Sequence, residues 1–485
     1  MHSPSTSSLN TSSTGEKIFD YIYETAGNTP MVRLQKIPKL EGVECELLAK
    51  CEFMNPGGSV KDRVAIEMFL NAEQDGKLRA GDTVVEATSG NAGVGFCMMA
   101  ACRGYKMIIT IPQRMSNEKI SVLKAFGAEV IRTPDGIPHD HPLSSYSQAT
   151  TIAKTREGVI NFNQYNNRHN PDAHYKGTGQ EIYDQCGGRL DYVFIGAGTG
   201  GTITGVAKKL KELNPDIKII GIDPVGSTMA EPATLNSVKK PFQVEGIGHD
   251  FIPEVLDRSV VDAWVKTDDQ TSFRYARALI SQEGMLCGAS SGSAIEGMIK
   301  YLRENDLDKN PNIRCVCILP DSIRNYLTKF CSDDWLVKKG LEDITILENP
   351  RHMLYGRKLR DLKLKSIQTF PESTIVSECI EALARSGDSA VPLVQDGVLK
   401  GIATKNSLLL GLSTGNLAVT DLALKGITKE VAVIDEFADL SCVESLLRTE
   451  ETLFVKRVDH DHKIQSLAVV SSLDLLKLIQ KETSA

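Results

Sequence analysis

A lysine in a glycine-rich turn, Lys61, is the residue of this sequence with the clearest chemical potential. Residues 55–63, Asn-Pro-Gly-Gly-Ser-Val-Lys-Asp-Arg, separate a strand-like run at 47–53 from a helical run at 63–71. We expect Ser59 to cap that helix. Lys61 then lies in the first helical turn, where the helix dipole disfavours an ammonium group. Because a neutral amine is the form that makes Schiff bases, the turn predicts amine chemistry at Lys61.

Three further Gly/Ser/Thr turns follow strand-like runs or open helical ones, and they lie at residues 88–93, 196–202 and 287–293. Consecutive glycines expose backbone N–H groups, which together with a helix dipole suit a phosphate. Residues 198–202 are therefore a candidate phosphate cradle. Such a turn also opens nicotinamide and flavin sites, and Asp223 stands near the spacing of a ribose-binding carboxylate. A dinucleotide site is thus an open alternative at this point.

The elements that carry these turns alternate between strand and helix from about residue 45 to about residue 330. Short apolar runs predict strands at 83–87, 107–111, 129–132, 159–162, 192–195, 217–222 and 313–319. Helical patterns occupy 92–103, 117–126, 201–213, 271–283 and 293–304. This alternation favours an α/β fold of parallel strands with helices on both faces. Ligands of such sheets bind beyond the carboxyl ends of the strands, so we expect the four turns to converge on one cleft.

Composition is typical of a globular protein of 485 residues, with 41% hydrophobic and 24% charged residues, and the length predicts two or three domains. A net charge of −7 indicates neither a nucleic acid nor an anionic membrane as partner. A transmembrane run and a signal peptide are not apparent, which predicts a cytoplasmic protein. The 11 cysteines are scattered without a Cys-x-x-Cys pair, so we expect buried reduced thiols and no metal site.

The pattern changes after residue 340. Residues 341–355 are charged and contain proline, which is typical of a linker, and residues 1–14 are rich in Ser and Thr, which predicts a disordered tail. Residues 356–412 and 417–480 repeat one another approximately, each with strands, a hairpin and helices. Such a duplication suggests one unit packed against its copy.

Taken in this order, the four turns resemble those of the fold type II (β-family) pyridoxal-phosphate enzymes, and nearly the whole chain is similar to the cystathionine β-synthases within that family. The resemblance implies a catalytic core over residues 15–340, built from two open twisted sheets with helices on both faces. It also implies a C-terminal pair of CBS repeats, together called a Bateman module. Pyridoxal 5′-phosphate is the implied cofactor and a homodimer the implied assembly.

The resemblance assigns three side chains to the cofactor ring: Lys61 for the Schiff base, Asn91 for the 3′ oxygen and Ser290 for the pyridine nitrogen. It assigns the phosphate to Gly198, Thr199, Gly200, Gly201 and Thr202. A serine hydroxyl cannot keep the ring nitrogen protonated as an aspartate would, which favours expelling a β-leaving group over transamination. Ser290 is also a candidate helix N-cap. A dinucleotide site would leave Lys61 and Ser290 without a role, so the resemblance favours pyridoxal phosphate.

The resemblance assigns the substrate carboxylate to the loop of Thr88, Ser89, Gly90, Asn91 and Ala92, whose N–H groups at a helix start suit an anion. The family usually has Thr in place of Ala92. Gln164 and Tyr165 match a pair near the substrate. Residues 245–250, Glu-Gly-Ile-Gly-His-Asp, resemble a closing lid in which His249 replaces the usual Tyr.

Within this scheme Gly246 of the lid is a substrate contact, and Tyr165 and Glu245 are catalytic candidates that handle the second substrate. The implied reaction replaces the hydroxyl of L-serine by L-homocysteine and gives L-cystathionine and water, with Lys61 moving the proton. Cysteine in place of serine would release hydrogen sulfide. The enzyme alternative is cysteine synthase, which shares the four turns and uses O-acetylserine and sulfide. The alternative of another class is a catalytically dead ligand-sensing protein, which the presence of Lys61 disfavours.

In the C-terminal repeats, Asp388, Ser471 and Asp474 match positions that bind an adenosyl ligand, which implies S-adenosylmethionine as a regulator. Gly387 replaces the usual aromatic residue, which weakens that expectation. Haem-containing relatives carry an N-terminal Cys and His, whereas the first cysteine here is Cys45, so no haem is expected. The run Asp-His-Asp-His at 459–462 is interpreted as a hairpin turn rather than a metal site.

Overall fold

A computed structural model of the chain describes residues 18–341 and 357–483, apart from positions 89, 114, 136, 389, 427–432, 437, 439, 441–442, 444–446, 448–451 and 459–463. The chain forms two compact units, which divide between Cys331 and Ser332. The predicted tail at 1–14, nearly all of the predicted linker at 341–355, and the run at 459–462 lie outside the described residues, so the predicted domain boundaries stay predictions. Among the described helices, none is both long enough and apolar enough to cross a membrane.

The described residues of the first unit form ten strands. They are β1 (Met31–Arg33), β2 (Glu46–Cys51), β3 (Thr83–Ala87), β4 (Lys106–Pro112), β5 (Glu129–Thr133), β6 (Val159–Asn161), β7 (Tyr192–Gly196), β8 (Lys218–Pro224), β9 (Ala263–Thr267) and β10 (Arg314–Leu319). One sheet has the order β1-β2-β10-β7-β8-β9 and the other β5-β4-β3-β6. All neighbouring strands run parallel except β1 and β2. The two open sheets expected from the sequence are confirmed, whereas the antiparallel edge strand β1 was not predicted.

Helices connect these strands, and they are α1 (Ile37–Glu41), α2 (Lys61–Gln74), α3 (Asn91–Arg103), α4 (Asn117–Ala125), α5 (Ser145–Thr155), α6 (His169–Ala173), α7 (Gly179–Gln185), α8 (Gly201–Leu213), α9 (Asp269–Glu283) and α10 (Ala289–Glu304). A π-helical segment at His174–Thr178 joins α6 to α7. The helix α10 begins four residues before the helical pattern that the sequence predicted at 293–304. Ser290 therefore lies inside its first turn.

Alternate residues of the central strands pack against helices on opposite faces of the six-stranded sheet. In β7, Phe194 joins an apolar cluster with Leu279 of α9 and Met298 of α10. Its neighbour Val193 joins a second cluster with Val206 of α8. Strands covered on both faces become continuously apolar, which is why these runs stood out in the sequence. The sheet is thus a rigid support for the loops at its carboxyl edge.

The second unit contains α11 (Asp333–Lys339), β11 (Lys365–Ile367), β12 (Phe370–Pro371), α12 (Val376–Ser386), β13 (Ala390–Gln395), β14 (Val398–Thr404), α13 (Lys405–Ser413), β15 (Val433–Asp435), β16 (Thr452–Val458), β17 (Ile464–Ser471) and α14 (Ser472–Thr483). A parallel pair followed by an antiparallel hairpin occurs twice, as β12-β13-β14 and as β15-β16-β17. This duplicated topology confirms the tandem repeat. Strand β11 adds to β17, so the chain preceding the first half completes the sheet of the second.

Candidate active site

Lys61 is the first residue of α2, as predicted, and a tight turn delivers it there. The N-cap position differs from the prediction: it is Val60, whose side chain cannot accept a hydrogen bond, and Ser59 precedes it. The Ser59 hydroxyl instead accepts a hydrogen bond from the Lys61 N–H at 3.2 Å. A Cβ on Gly57 would lie 2.2 Å from Oδ1 of Asp62, so the turn needs glycine there for the Asp62 carboxylate to fold under it.

Burial is the main cause of the altered basicity of Lys61. It lowers the pKa of this amine to about 8, and the nearby Asp321 carboxylate opposes the shift. From the sequence, the helix dipole is the expected cause of the lowered pKa, whereas desolvation is the larger influence in the structure. Either way the neutral amine needed for Schiff-base chemistry is accessible near neutral pH.

A buried cluster of charged side chains stabilises this turn. Arg63, two residues after Lys61, donates through Nε to Glu52 at 2.7 Å and through Nη1 to Glu181 at 2.6 Å. Lys50 also donates to Glu181, at 2.6 Å. Two cations therefore balance two carboxylates in a region where an unpaired charge would be costly. Sequence reasoning missed this cluster because Glu181 is more than a hundred residues away along the chain.

Lys61 lines a cavity together with the third glycine turn and the predicted lid. The residues of this cavity that the sequence singled out are Lys61, Gly198, Thr199, Gly200, Thr202 and Gly246. A Cβ on Gly198 would lie 2.4 Å from the carbonyl oxygen of Gly246, so glycine at 198 lets the lid backbone approach closely. The structure thus brings together the amine, the candidate phosphate cradle and Gly246.

The cradle has the donors that a phosphate requires. Helix α8 starts at Gly201, and its N-cap residue Gly200 has no side chain to cap it; the N–H of Gly201 donates to the Thr199 hydroxyl at 3.4 Å, and the helix N-terminus faces the turn. Two buried residues support the threonines from behind: Asn170 donates to the Thr199 hydroxyl at 2.8 Å, and His174 Nε2 lies 3.2 Å from the Thr202 hydroxyl. Burial lowers the pKa of His174 well below its usual value, so His174 is neutral. The cradle therefore fits the phosphate of the expected cofactor.

Replacing Gly201 by alanine is expected to weaken binding of pyridoxal phosphate by about 10-fold or more, the loss of roughly one charge-assisted hydrogen bond. The new Cβ would lie 1.9 Å from Oδ1 of Asn170 and would displace the side chain that holds Thr199. Absorbance titration of the apoenzyme measures the effect. Lys208→Ala, at a half-exposed position of the same helix, is the control. Equal affinities for Gly201→Ala and the unmodified protein would contradict the assignment of the cradle.

The second glycine turn leads into the N-terminus of α3. The Thr88 hydroxyl accepts hydrogen bonds from the N–H groups of Gly90 and Gly93, which shapes the loop. Gly90 is the N-cap of α3, has φ of 128° and provides no side-chain cap. The Ala92 side chain is buried in an apolar cluster, so this position offers a ligand only its backbone. The terminus suits a carboxylate. Ser89, also predicted for this loop, lies outside the described residues.

The Asn91 side chain bonds to the segment that follows β10. Its Nδ2 donates to Asp321 at 2.6 Å, and its Oδ1 accepts from Asn325 at 2.8 Å. Asp321 also accepts a hydrogen bond from the Tyr326 hydroxyl. Sequence reasoning missed Asp321, Asn325 and Tyr326. The available signal was a run of polar residues directly after a buried strand, at the edge where ligands bind.

Ser290, in the fourth turn, lies next to the cavity residue Gly246. It is buried in the first turn of α10, and a Cβ on Gly246 would lie 4.0 Å from its hydroxyl oxygen. The N-cap of α10 is Gly288, so the suggestion that Ser290 caps the helix is wrong. All four turns thus contribute to one region. The first contributes Lys61, the second the hydrogen bond of Asn91 to Asp321, the third the cradle and the fourth Ser290.

Glu245, at the base of the lid, pairs with two lysines. Lys119 Nζ lies 2.5 Å from one of its carboxylate oxygens, and Lys329 donates to the other. Despite burial, which alone would raise it, the pKa of Glu245 is lowered by these lysines. Lys119 is fully buried and its amine lies 4.6 Å from the Tyr326 ring centroid. Glu245 is therefore an ionised carboxylate at the edge of the site.

Gln164 and Tyr165 lie beside strand β3. The Gln164 side chain donates to the backbone of Ala87 at 2.9 Å, and its N–H donates to Glu86. The Tyr165 ring is in edge contact with the ring of His249, with the centroids 5.5 Å apart. The structure thus brings Tyr165 together with the lid residue that replaces the family tyrosine.

The carboxylate on which the dinucleotide alternative depends, that of Asp223, already has a partner in the structure. Asp223 pairs with Lys266 at 2.7 Å and accepts a hydrogen bond from the backbone of Ala230, so a buried cation already neutralises it. An acceptor for a ribose hydroxyl would need to be accessible. The geometry at Asp223 therefore disfavours a nicotinamide or flavin site.

In the second unit, the residues predicted to bind an adenosyl ligand make local contacts. Asp388 pairs with Lys365 at 2.6 Å. Asp474 accepts from both the N–H and the hydroxyl of Ser471, at 2.8 and 2.7 Å. Gly387 has φ of 74° and terminates α12, a conformation that an aromatic residue would adopt only with strain. A regulatory role for these residues stays a prediction.

Comparison with known proteins places the chain in a family. Residues 22–321 match the family described as Pyridoxal-phosphate dependent enzyme. The chain is 44% identical to the cystathionine beta-synthase of Mus musculus, over 90% of this chain and 78% of the relative. It is 41% identical to those of Dictyostelium discoideum and Saccharomyces cerevisiae, in each case over 96% of this chain and 93% of the relative.

Solved structures of related enzymes are similar to the first part of the chain. A hydrogen sulfide-producing enzyme from Fusobacterium nucleatum superposes with a TM-score of 0.59 at 33% identity, covering 64% of this chain and 100% of that one. An O-ureido-L-serine synthase superposes with a TM-score of 0.59 at 33% identity, covering 65% and 95%. With the convergence of the four turns, these matches show that the chain belongs to the cystathionine β-synthase family of pyridoxal-phosphate dependent enzymes.

Proposed function

We propose that this protein replaces the hydroxyl of L-serine by L-homocysteine, giving L-cystathionine and water. The observation that carries the proposal is the single cavity that unites Lys61, the cradle at 198–202 and the lid residue Gly246. The names of the relatives support the same reaction. Cysteine as the first substrate would release hydrogen sulfide through the same steps, and the name of the Fusobacterium nucleatum enzyme is consistent with this.

When bound, pyridoxal phosphate supplies an electron sink for the bond at Cα of the amino acid. Lys61 would hold the cofactor, Ser290 its ring nitrogen and Asn91 its 3′ oxygen, while residues 198–202 hold the phosphate. The N-terminus of α3 would bind the serine carboxylate. Lys61, with its lowered pKa, is suited to take the Cα proton and to deliver a proton to the departing hydroxyl.

The second substrate would enter at the lid. Glu245 is ionised and lies between two lysines, so the region offers both signs of charge to a zwitterionic amino acid. The glycines of the lid, Gly246 and Gly248, have positive φ, which allows a hinge that few other residues would permit. Tyr165 and Gln164 would border the reacting carbon. A closed lid would exclude water and so protect the reactive intermediate from hydrolysis.

Two assays on one preparation test the proposal. Serine with homocysteine is expected to give cystathionine faster than O-acetylserine with sulfide gives cysteine, both measured as kcat/KM by product chromatography. The Lys61→Ala variant is the blank for both reactions, since spontaneous addition of thiols must be subtracted. A reversed order would make the protein a cysteine synthase, and no turnover of either pair would favour a ligand-sensing protein.

The proposal also includes a homodimer in the cytoplasm and a sensing role for the second unit. The described cysteines are free and most are buried, which is consistent with a reducing compartment. S-Adenosylmethionine is the proposed regulator through Asp388, Ser471 and Asp474. Calorimetric titration of the full chain tests this directly, and a double variant of Asp388 and Asp474 is the control.

A further inference from the structure

Asp321 occupies a central position among the glycine turns. It follows the last buried strand, β10, and only 1% of its surface is exposed. Its backbone pairs with Ser59 of the first turn, and its carbonyl oxygen accepts the N–H of Gly288 at 2.8 Å. Its carboxylate reaches Asn91 of the second turn. One residue thus joins three of the four turns that build the site.

The hydrogen bonds on Asn91 fix which way its amide points. A carboxylate only accepts, so the group that faces Asp321 must be the Asn91 nitrogen. The Nδ2 of Asn325 donates, so the group that faces it must be the Asn91 oxygen. Turning the amide by half a revolution would place oxygen against carboxylate and nitrogen against nitrogen, and both contacts would be repulsive. The amide therefore has one favourable orientation.

We propose that Asp321 and Asn325 are positioning residues that hold Asn91 with its amide nitrogen towards Asp321, so that this nitrogen is the donor to the 3′ oxygen of pyridoxal phosphate. The inference rests on the proposed cofactor site. In the opposite orientation Asn91 would present its carbonyl oxygen to the 3′ oxygen. Because the 3′ oxygen carries negative charge, the two oxygens would repel each other. The pair thus acts on the cofactor only through Asn91.

The surroundings of Asp321 keep its carboxylate in place. One oxygen accepts from Asn91 and from the Tyr326 hydroxyl. The other packs against Gly288, where a Cβ would lie 2.1 Å from it. Burial raises the pKa of Asp321, and the hydrogen bonds from Tyr326 and Asn91 together with the charge of Lys119 oppose this. These contacts and hydrogen bonds fix the position of the carboxylate. An asparagine side chain has the same shape, so it can replace Asp321 in a test.

Asp321→Asn is expected to raise the dissociation constant of pyridoxal phosphate by about 10-fold or more, because a charge-assisted bond that orients Asn91 is lost. The sharper test is the exchange Asp321→Asn with Asn325→Asp. The exchange keeps the hydrogen bonds that positions 321 and 325 make with Asn91 but reverses donor and acceptor in both, so Asn91 turns round. We expect the exchanged protein to recover the thermal stability of the apoenzyme while its affinity for the cofactor stays as low as in Asp321→Asn. Absorbance titration and thermal melting are the readouts.

Asp262→Asn is the matched control, since Asp262 also accepts hydrogen bonds, from Lys211 and from the Ile219 N–H, each at 2.8 Å, but belongs to none of the four turns; we expect its affinity to stay within about 3-fold of the unmodified protein. If the exchange restores both stability and affinity, the network is only structural and the inference is overturned. Asp321→Asn with unchanged affinity overturns it as well. Should Asp321→Asn not fold, Asn325→Asp must show the same loss of affinity. Unmodified apoenzyme that does not bind pyridoxal phosphate would instead refute the cofactor site.

Discussion

The variant Lys61→Ala is expected to be colourless and to lose cystathionine synthesis by about 10²- to 10⁴-fold or more, the usual range for a positioned acid–base group. Lys61 is the lysine that lines the cavity with the phosphate cradle, and its pKa of about 8 suits both attachment and proton transfer. Losing it removes both functions at once. Absorbance spectra and steady-state rates measure the two effects on the same sample.

Lys77→Ala is the control for this variant, because its side chain is 69% exposed and pairs only at the surface. We expect its spectrum and rate to match those of the unmodified protein. A Lys61→Ala protein that keeps its visible band would show that another amine holds the cofactor. Retained activity without the visible band would show that the reaction does not require the cofactor, and this would contradict the proposed function.

Arg63→Met is expected to lower the free energy of unfolding of the first unit by about 3–5 kcal/mol, because it leaves Glu52 and Glu181 with one buried cation fewer. The methionine keeps much of the volume, so the charge is the main change. The midpoint of urea unfolding, followed by a signal from the first unit, measures the loss. Cofactor binding should weaken too, since Arg63 stabilises the turn that carries Lys61.

Arg33→Met is the matched control. Arg33 also pairs with a glutamate, Glu46, but its side chain is 58% exposed, whereas that of Arg63 is 7% exposed. An exposed pair contributes about 1 kcal/mol or less. Equal shifts for the two variants would mean that the buried cluster has no special importance for the turn.

The sequence predicted the parts of the site that are local. Each glycine turn has its residues within a few positions, so spacing indicated Lys61, the candidate cradle and the start of α3, and the resemblance to the family joined them into one predicted site. The apolar strands could be located because burial on both faces removes polar residues from them. The tandem repeat was detectable because two stretches of the chain have the same order of predicted strands and helices.

The missed features join distant segments. Asn91 and Asp321 are 230 residues apart in sequence, and Arg63 and Glu181 of the ion cluster are 118 residues apart, so no local pattern could show either contact. The predictions at Ser59 and Ser290 named the wrong N-cap residue for a related reason. Backbone angles at Val60 and Gly288 decide where each helix starts, and those angles depend on the segments that pack against the turns.

The covalent bond between Lys61 and the cofactor is the central claim, and one measurement tests it most directly. The purified protein is reduced with borohydride, digested and mapped by mass spectrometry. The account predicts a single phosphopyridoxyl group, attached to the peptide that contains Lys61. A group on any other lysine, or none on a protein that is yellow before reduction, would contradict it.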